Sequence, residues 1–182
     1  MSDHELARRF EAAVAPHLDA AYNVARWLAR EPHDAEDVVQ DAYLRALRYF
    51  GAFRGGDARA WLLTIVRNTF YTWVEQRRHS RSEVEYDEAT VGIHTVESSG
   101  NEALHGTDPE KLLLRAADQQ LVESALLRLP AEYREILVLR ELEELSYKEI
   151  AEIVGVPMGT VMSRLSRART QLRVQIEAVE AK

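Results

Sequence analysis

Val14, Leu18, Ala21, Tyr22, Ala25 and Leu28 recur at steps of three and four, the spacing of one helix face. Glu31 and Pro32 interrupt the series, and Asp34 is placed to cap a second helix over "AEDVVQDAYLRALRYF". There Val38, Val39, Ala42, Tyr43, Ala46, Leu47 and Phe50 make one broad apolar face. The "RGGD" at 54–57 breaks the chain, and Trp61, Leu62, Ile65, Val66, Thr69, Phe70 and Trp73 form a third stripe. No segment shows a convincing strand pattern. These stripes predict a small helical bundle whose helices bury shared apolar faces.

The C-terminal third has its own pattern. A helix is expected over about 112–128, and Pro130 suits the first turn of the next, "AEYREILVLRELE". Ser146 and Glu149 have capping-box spacing, with Ile150, Ile153 and Val154 following. Gly155 ends that helix and Pro157 opens another. Helix, short glycine-containing turn, helix is the helix-turn-helix signature. On the second helix Val161, Leu165, Ala168, Leu172, Ile176 and Val179 share an inward arc. Ser163, Ser166, Arg167 and Thr170 lie opposite, with Arg164 and Arg169 on the flanks.

Charge then separates the two patterned blocks. From Ser82 to Glu110 there are eight acids and no Lys or Arg, with scattered Gly, Ser, Thr and Asn and no period. Such a stretch reads as a flexible, solvated linker rather than part of a compact domain. The expected organisation is therefore 1–81, an acidic linker 82–110, and 111–182. The composition, 46% hydrophobic and 29% charged, supports a buried core. There is no cysteine, so neither a disulfide framework nor a thiolate metal site is available, which fits a reducing cytoplasm. The N-terminus carries no apolar signal-type segment and no run of 18 apolar residues occurs, so neither export nor membrane insertion is expected.

The net charge is −7, yet the 24 residues between Glu152 and Glu177 hold four arginines and no acid. One reading is a solvated basic face on a helical hairpin. The other is DNA binding, with arginine and hydroxyl groups on phosphates and base edges and the amides near Gly159 and Thr160 on a phosphate. Residues 53–81 interleave Phe53, Trp61, Phe70, Tyr71 and Trp73 with six arginines, a composition suited to single-stranded nucleic acid. Trp61, Phe70 and Trp73 fall on the core stripe, whereas Arg67, Asn68 and Tyr71 fall off it and are freer for contact. Asp37, Gln40, Asp41, Leu44 and Arg48 share an outer face with one apolar member, either an ordinary solvated face or a protein-docking surface. The six histidines show no metal-ligand spacing, and no phosphate loop or nucleophile motif is found, so neither a cofactor nor catalysis is expected.

With these residues assembled, the chain resembles the extracytoplasmic-function sigma factors, small two-domain bacterial transcription initiation factors. "DAEDVVQDAYLRALR" is similar to the segment of the sigma-2 domain that docks on the clamp helices of the polymerase largest subunit. "FRGGDARAWLLTIVRN" is similar to the part that meets the melted −10 element. "LPAEYREILVLRELEELSYKEIAEIVGVPMGTVMSRLSRARTQL" resembles the sigma-4 domain, whose recognition helix enters the major groove of the −35 element. The resemblance implies an all-α, two-domain fold and three sets of residues. Asp37, Gln40, Asp41 and Leu44 would bind core RNA polymerase. Phe53 and Asn68, with Arg67 and Tyr71 beside them, would hold the melted −10 strand. Thr160, Ser163, Arg164 and Arg167 would meet the −35 duplex. Met162 stands where some relatives carry a base-reading arginine, so the −35 preference does not carry over. The resemblance also implies an anti-sigma factor as partner, and a linker threading toward the polymerase active-site channel. An unrelated helix-turn-helix regulator and a protein-binding adaptor are the competing readings.

Overall fold

A computed structural model describes residues 3–83 and 109–180, with side chains from 4–79 and 117–179. The described residues are helical and contain no strand. Helices α1 (Asp3–Val14), α2 (Leu18–Ala29), α3 (Pro32–Tyr49) and α4 (Ala58–Glu83) form the first block. Helices α5 (Pro109–Arg128), α6 (Ala131–Leu137), α7 (Tyr147–Val154) and α8 (Met158–Glu180) form the second. The expected linker lies, over 84–108, outside the described residues.

The apolar stripe from Val14 to Leu28 is not one helix. Pro16, which lacks an amide hydrogen, sits in a 3-10 turn over Ala15–His17 that divides α1 from α2. The stripe survives the break because Val14, Ala21, Ala25 and Leu28 are all buried. Asp34 is not the cap of α3. Pro32 takes the first helical position and Glu31 the N-cap in extended geometry, so the helix starts earlier than expected. Asp34 instead sits in the first turn, where Arg77 of α4 donates to both its oxygens, at 2.9 and 3.2 Å.

Helices α2, α3 and α4 pack against one another in pairs, and α1 lies on α4. At one end Phe10, Tyr43, Phe50, Phe53 and Trp61 make an aromatic cluster with ring centroids 4.9–6.1 Å apart. In the second block α8 runs against α5, α6 and α7. Pro130 is the cap preceding α6 rather than part of its first turn. Beyond Leu137 that helix widens into a π turn over Val138–Leu142, closed by the Glu143 amide donating to the Val138 carbonyl at 3.0 Å.

The blocks also pack on each other, α7 against α4 and α6 against α2. This explains two burials that single stripes do not account for. Leu63 lies off the α4 stripe yet is fully buried. Residues 134–139 of α6 and its π extension are buried at every position, so this segment is enclosed on all sides.

Candidate polymerase- and nucleic-acid-binding surfaces

Helix α3 presents Asp37, Gln40, Asp41 and Leu44 on one exposed face, the consequence of i, i+3, i+4, i+7 spacing. Asp41 ion-pairs with Arg45 one turn on at 3.0 Å, and His33 stands 3.9 Å from Asp37. Leu44 is 55% exposed, and Leu47 one turn on is exposed as well. The face thus combines one exposed apolar side chain with a polar surround.

The residues expected to hold the melted strand divide into two groups. Phe53 is half-buried, stacked on Phe50 at 5.7 Å and tilted against Trp61 at 4.9 Å between ring centroids. Asn68 is exposed, seven residues beyond Trp61 and so on the same side of α4. Arg67 and Tyr71 point elsewhere. They pair by a cation–π contact of 4.7 Å and turn to the second block, where both meet Glu135. The expectation that they stand free of packing is therefore corrected: α4 is flanked by a second domain. Trp61 and Trp73, placed on the core stripe, are only half-buried, and Trp73 carries the Arg77 guanidinium over its ring at 4.0 Å.

Glu135 is 1% exposed. Arg67 Nε lies 2.7 Å from its Oε1, and the Tyr71 hydroxyl donates to Oε2 at 3.1 Å. Burial raises the Glu135 pKa, and the Arg67 charge and the Tyr71 hydrogen bond only partly offset it. Burial likewise pushes the Tyr71 phenol up, with the Glu135 charge adding to the effect. Two turns along α4, Arg59 ion-pairs with the buried Glu143 and also donates to its main-chain carbonyl at 2.9 Å. Asn23 of α2 donates to the other Glu143 oxygen. Arg134, 2% exposed, donates to the carbonyls of Leu129 at 2.8 Å and of Leu28 at 3.2 Å, at the end of α2. Desolvation holds its pKa down to about 10.

These junction residues, Asn23, Arg134, Glu135 and Glu143, were not candidates from sequence. A usable signal was present: four consecutive apolar residues, Ile136–Leu139, cover every side of a helix and imply enclosure.

The helix-turn-helix follows the expected local chemistry. The Ser146 hydroxyl accepts from the Glu149 amide while the Glu149 carboxylate accepts from the Ser146 amide. Gly155 adopts φ +73° and closes α7 through its amide to Ala151. On α8, Val161, Leu165 and Ala168 are buried and Leu172, Ile176 and Val179 half-buried, as the arc requires. Ser163 and Arg167 are exposed, and Thr160 and Arg164 are half-buried. The Thr160 amide donates to the Pro157 carbonyl at 2.9 Å, so it is engaged within the helix start. Arg169 is tied to Glu141 at 2.7 Å, a hydrogen bond that raises its pKa and holds it to one side of the outer face. Met158 and Met162 stand exposed near the start of the helix.

This pairing of a four-helix block with a helix-turn-helix block matches two sigma-70 families: Sigma-70 region 2 over residues 13–80 and Sigma-70, region 4 over 119–172. The chain is 39% identical to the ECF RNA polymerase sigma-E factor of Escherichia coli K12 over 148 residues, 79% of this chain and 74% of that one. It is 33% identical to the ECF RNA polymerase sigma factor SigE of Mycolicibacterium smegmatis over 90% of its own length, and spans 60% of that relative. The sigma factor RpoE of Bartonella quintana, in co-crystals with the anti-sigma factor NepR, superposes with a TM-score of 0.73 at 30% identity. That alignment covers 93% of this chain and 98% of that one. The chain thus belongs to the sigma-70 family, and within it to the ECF RNA polymerase sigma factors.

Proposed function

We propose that this chain is a bacterial transcription initiation factor that directs core RNA polymerase to specific promoters. Its domains are 1–81, which binds the polymerase and the −10 element, a linker over 82–110, and 111–182, which binds the −35 element. Asp37, Gln40, Asp41 and Leu44 dock on the polymerase. Phe53, Arg67, Asn68 and Tyr71 hold the unpaired −10 strand through stacking, an amide on a base edge and phosphate contacts. Thr160, Ser163, Arg164 and Arg167 meet the −35 duplex in the major groove. The factor lowers the cost of strand opening by binding the open strand better than the duplex, a shift in population that needs no covalent chemistry of its own. It acts in the cytoplasm, beside the polymerase. No described helix is long and apolar enough to cross a membrane. An anti-sigma factor is its expected regulator, as the RpoE relative suggests.

The observation that carries this reading is the exposed outer face of α8, free of acids from Met158 to Ile176, on a capped helix-turn-helix, joined in one chain to the apolar-anchored stripe of α3. Run-off transcription with core polymerase and a library of linear promoters tests it. The expected result is discrete starts at a subset of promoters without another specificity subunit. Starts that need a second sigma factor would make the chain a regulator instead.

A further inference from the structure

Two apolar side chains interrupt the polar ground at the start of α8. Met158 and Met162 are 48% and 45% exposed. From Met158 to Thr170 every other exposed side chain is a serine, a threonine or an arginine. The helix buries Val161, Leu165 and Ala168 instead, so neither methionine serves the core. Spaced four apart, the two stand one above the other on one flank, across the outer face from Thr160 and Arg164. The chain has three methionines; one is residue 1, and both others are here. A single exposed apolar residue is ordinary. Two that are confined to the first turns of one basic helix call for a partner.

What a methionine can recognise there is narrow. A recognition helix brings its N-terminal residues to the base edges of the major groove. The thioether donates no hydrogen bond, so it cannot engage the two acceptors of guanine. Against the amino groups of adenine or cytosine it displaces water and returns only a weak acceptor. The one methyl group on the major-groove edge is the C5-methyl of thymine. Methionine's unbranched, polarizable chain adapts to such a contact. The arginines around the pair, with no acid from Met158 to Ile176, supply the attraction that brings a duplex to it. We propose that Met158 and Met162 form an apolar pad that reads thymine methyl groups in the −35 duplex and sets part of this chain's promoter preference. The proposal rests on the −35 reading of α8 given above.

Replacing thymidine by deoxyuridine removes that methyl and leaves base pairing intact. The full chain is assembled with core polymerase, and run-off transcription first identifies a promoter from which it starts. Each thymine of the −35 element, on either strand, is then replaced in turn, and affinity of the assembled enzyme is read by gel shift. At one or more positions the change should weaken binding about fourfold, the worth of one buried methyl-sized group. Met162→Gln keeps the side-chain length at an exposed position, so folding and assembly with core polymerase should match the parent. It should bind the thymine and deoxyuridine duplexes alike at the position that Met162 touches. The double variant Met158→Gln/Met162→Gln should do so at every position. Where such a T·A pair is replaced by C·G, 5-methylcytosine should recover affinity over cytosine for the parent and not for the double variant. Deoxyuridine without effect at every −35 thymine, a −35 element with no A·T pair, or an effect undiminished in the double variant overturns the proposal. Absence of specific starts overturns the promoter reading and this proposal with it, and it shows before any base is changed.

Discussion

Arg134 and Asp34 show how differently two charged residues can matter. Arg134 gives its guanidinium to main-chain carbonyls of Leu127, Leu129 and Leu28, and it is buried. Arg134→Met keeps the volume and leaves the Leu129 and Leu28 carbonyls, whose bonds to it are buried, without their donor, which costs roughly 2–6 kcal/mol at about 1–3 kcal/mol per orphaned group. The drop should appear as a lower urea midpoint. Asp34 makes a bidentate pair with Arg77, but half of the Arg77 side chain is in solvent. Asp34→Ala should therefore cost under about 1 kcal/mol in the same measurement. Arg167 belongs to a third class, exposed and outside the packing. Arg167→Ala should leave the unfolding curve and polymerase binding unchanged. It should weaken −35 duplex binding by about 1–3 kcal/mol in a gel-shift titration if it reads a base.

At the scale of the element, α7 and its turn are specified locally. Ser146→Ala removes both the hydroxyl that accepts from the Glu149 amide and the partner that holds the Glu149 pKa down. A lost N-cap costs about 0.5–2 kcal/mol, read as a lower melting temperature. The depressed Glu149 pKa means the box stabilises above the ordinary glutamate range and weakens as pH falls through the depressed value. The Ser146→Ala penalty should accordingly shrink in acid. Gly155→Ala would meet no atom within 4 Å, so its cost is the left-handed backbone alone, about 1–2 kcal/mol. Capping residues, a turn glycine and a 3.6-residue stripe act over a few positions, which is why the helix-turn-helix and its inward arc are legible in the sequence. The start of α3 was misplaced because two local signals compete there, and Pro32 prevails over Asp34. The break at Pro16 was readable in principle, but the apolar stripe runs through it and masks the change of helix.

The relation between the two blocks is the part that local pattern does not contain. Arg67 and Tyr71 were legible as residues off the core stripe; that Glu135, 64 positions beyond Tyr71, covers them was not. Glu135 also makes the closed form, in which the two blocks are packed together, sensitive to pH, and the groups facing it fix the sign. Arg67 and the Tyr71 hydroxyl meet it from α4, and the Arg164 charge reaches it from α8. Glu132 acts on the adjoining Tyr71. Burial outweighs these attractions, so the carboxylate of the closed form binds its proton more readily than one released to water. Between the ordinary value and the raised one, the closed form holds more protons than the open form, and acid drives closure. Above the raised value both forms are ionised and the charge opposes closure in full. Taking a chain labelled at cysteines introduced at exposed Arg8 and Glu177 from about pH 8 to about pH 5.5 should shorten the mean distance between the two blocks. Glu135→Gln is the control. Without the ionisable group the chain should be more closed at neutral pH and should lose most of the dependence. A Gln variant that opened at neutral pH would instead mean that attraction to Arg67, not the cost of burying the charge, governs the junction.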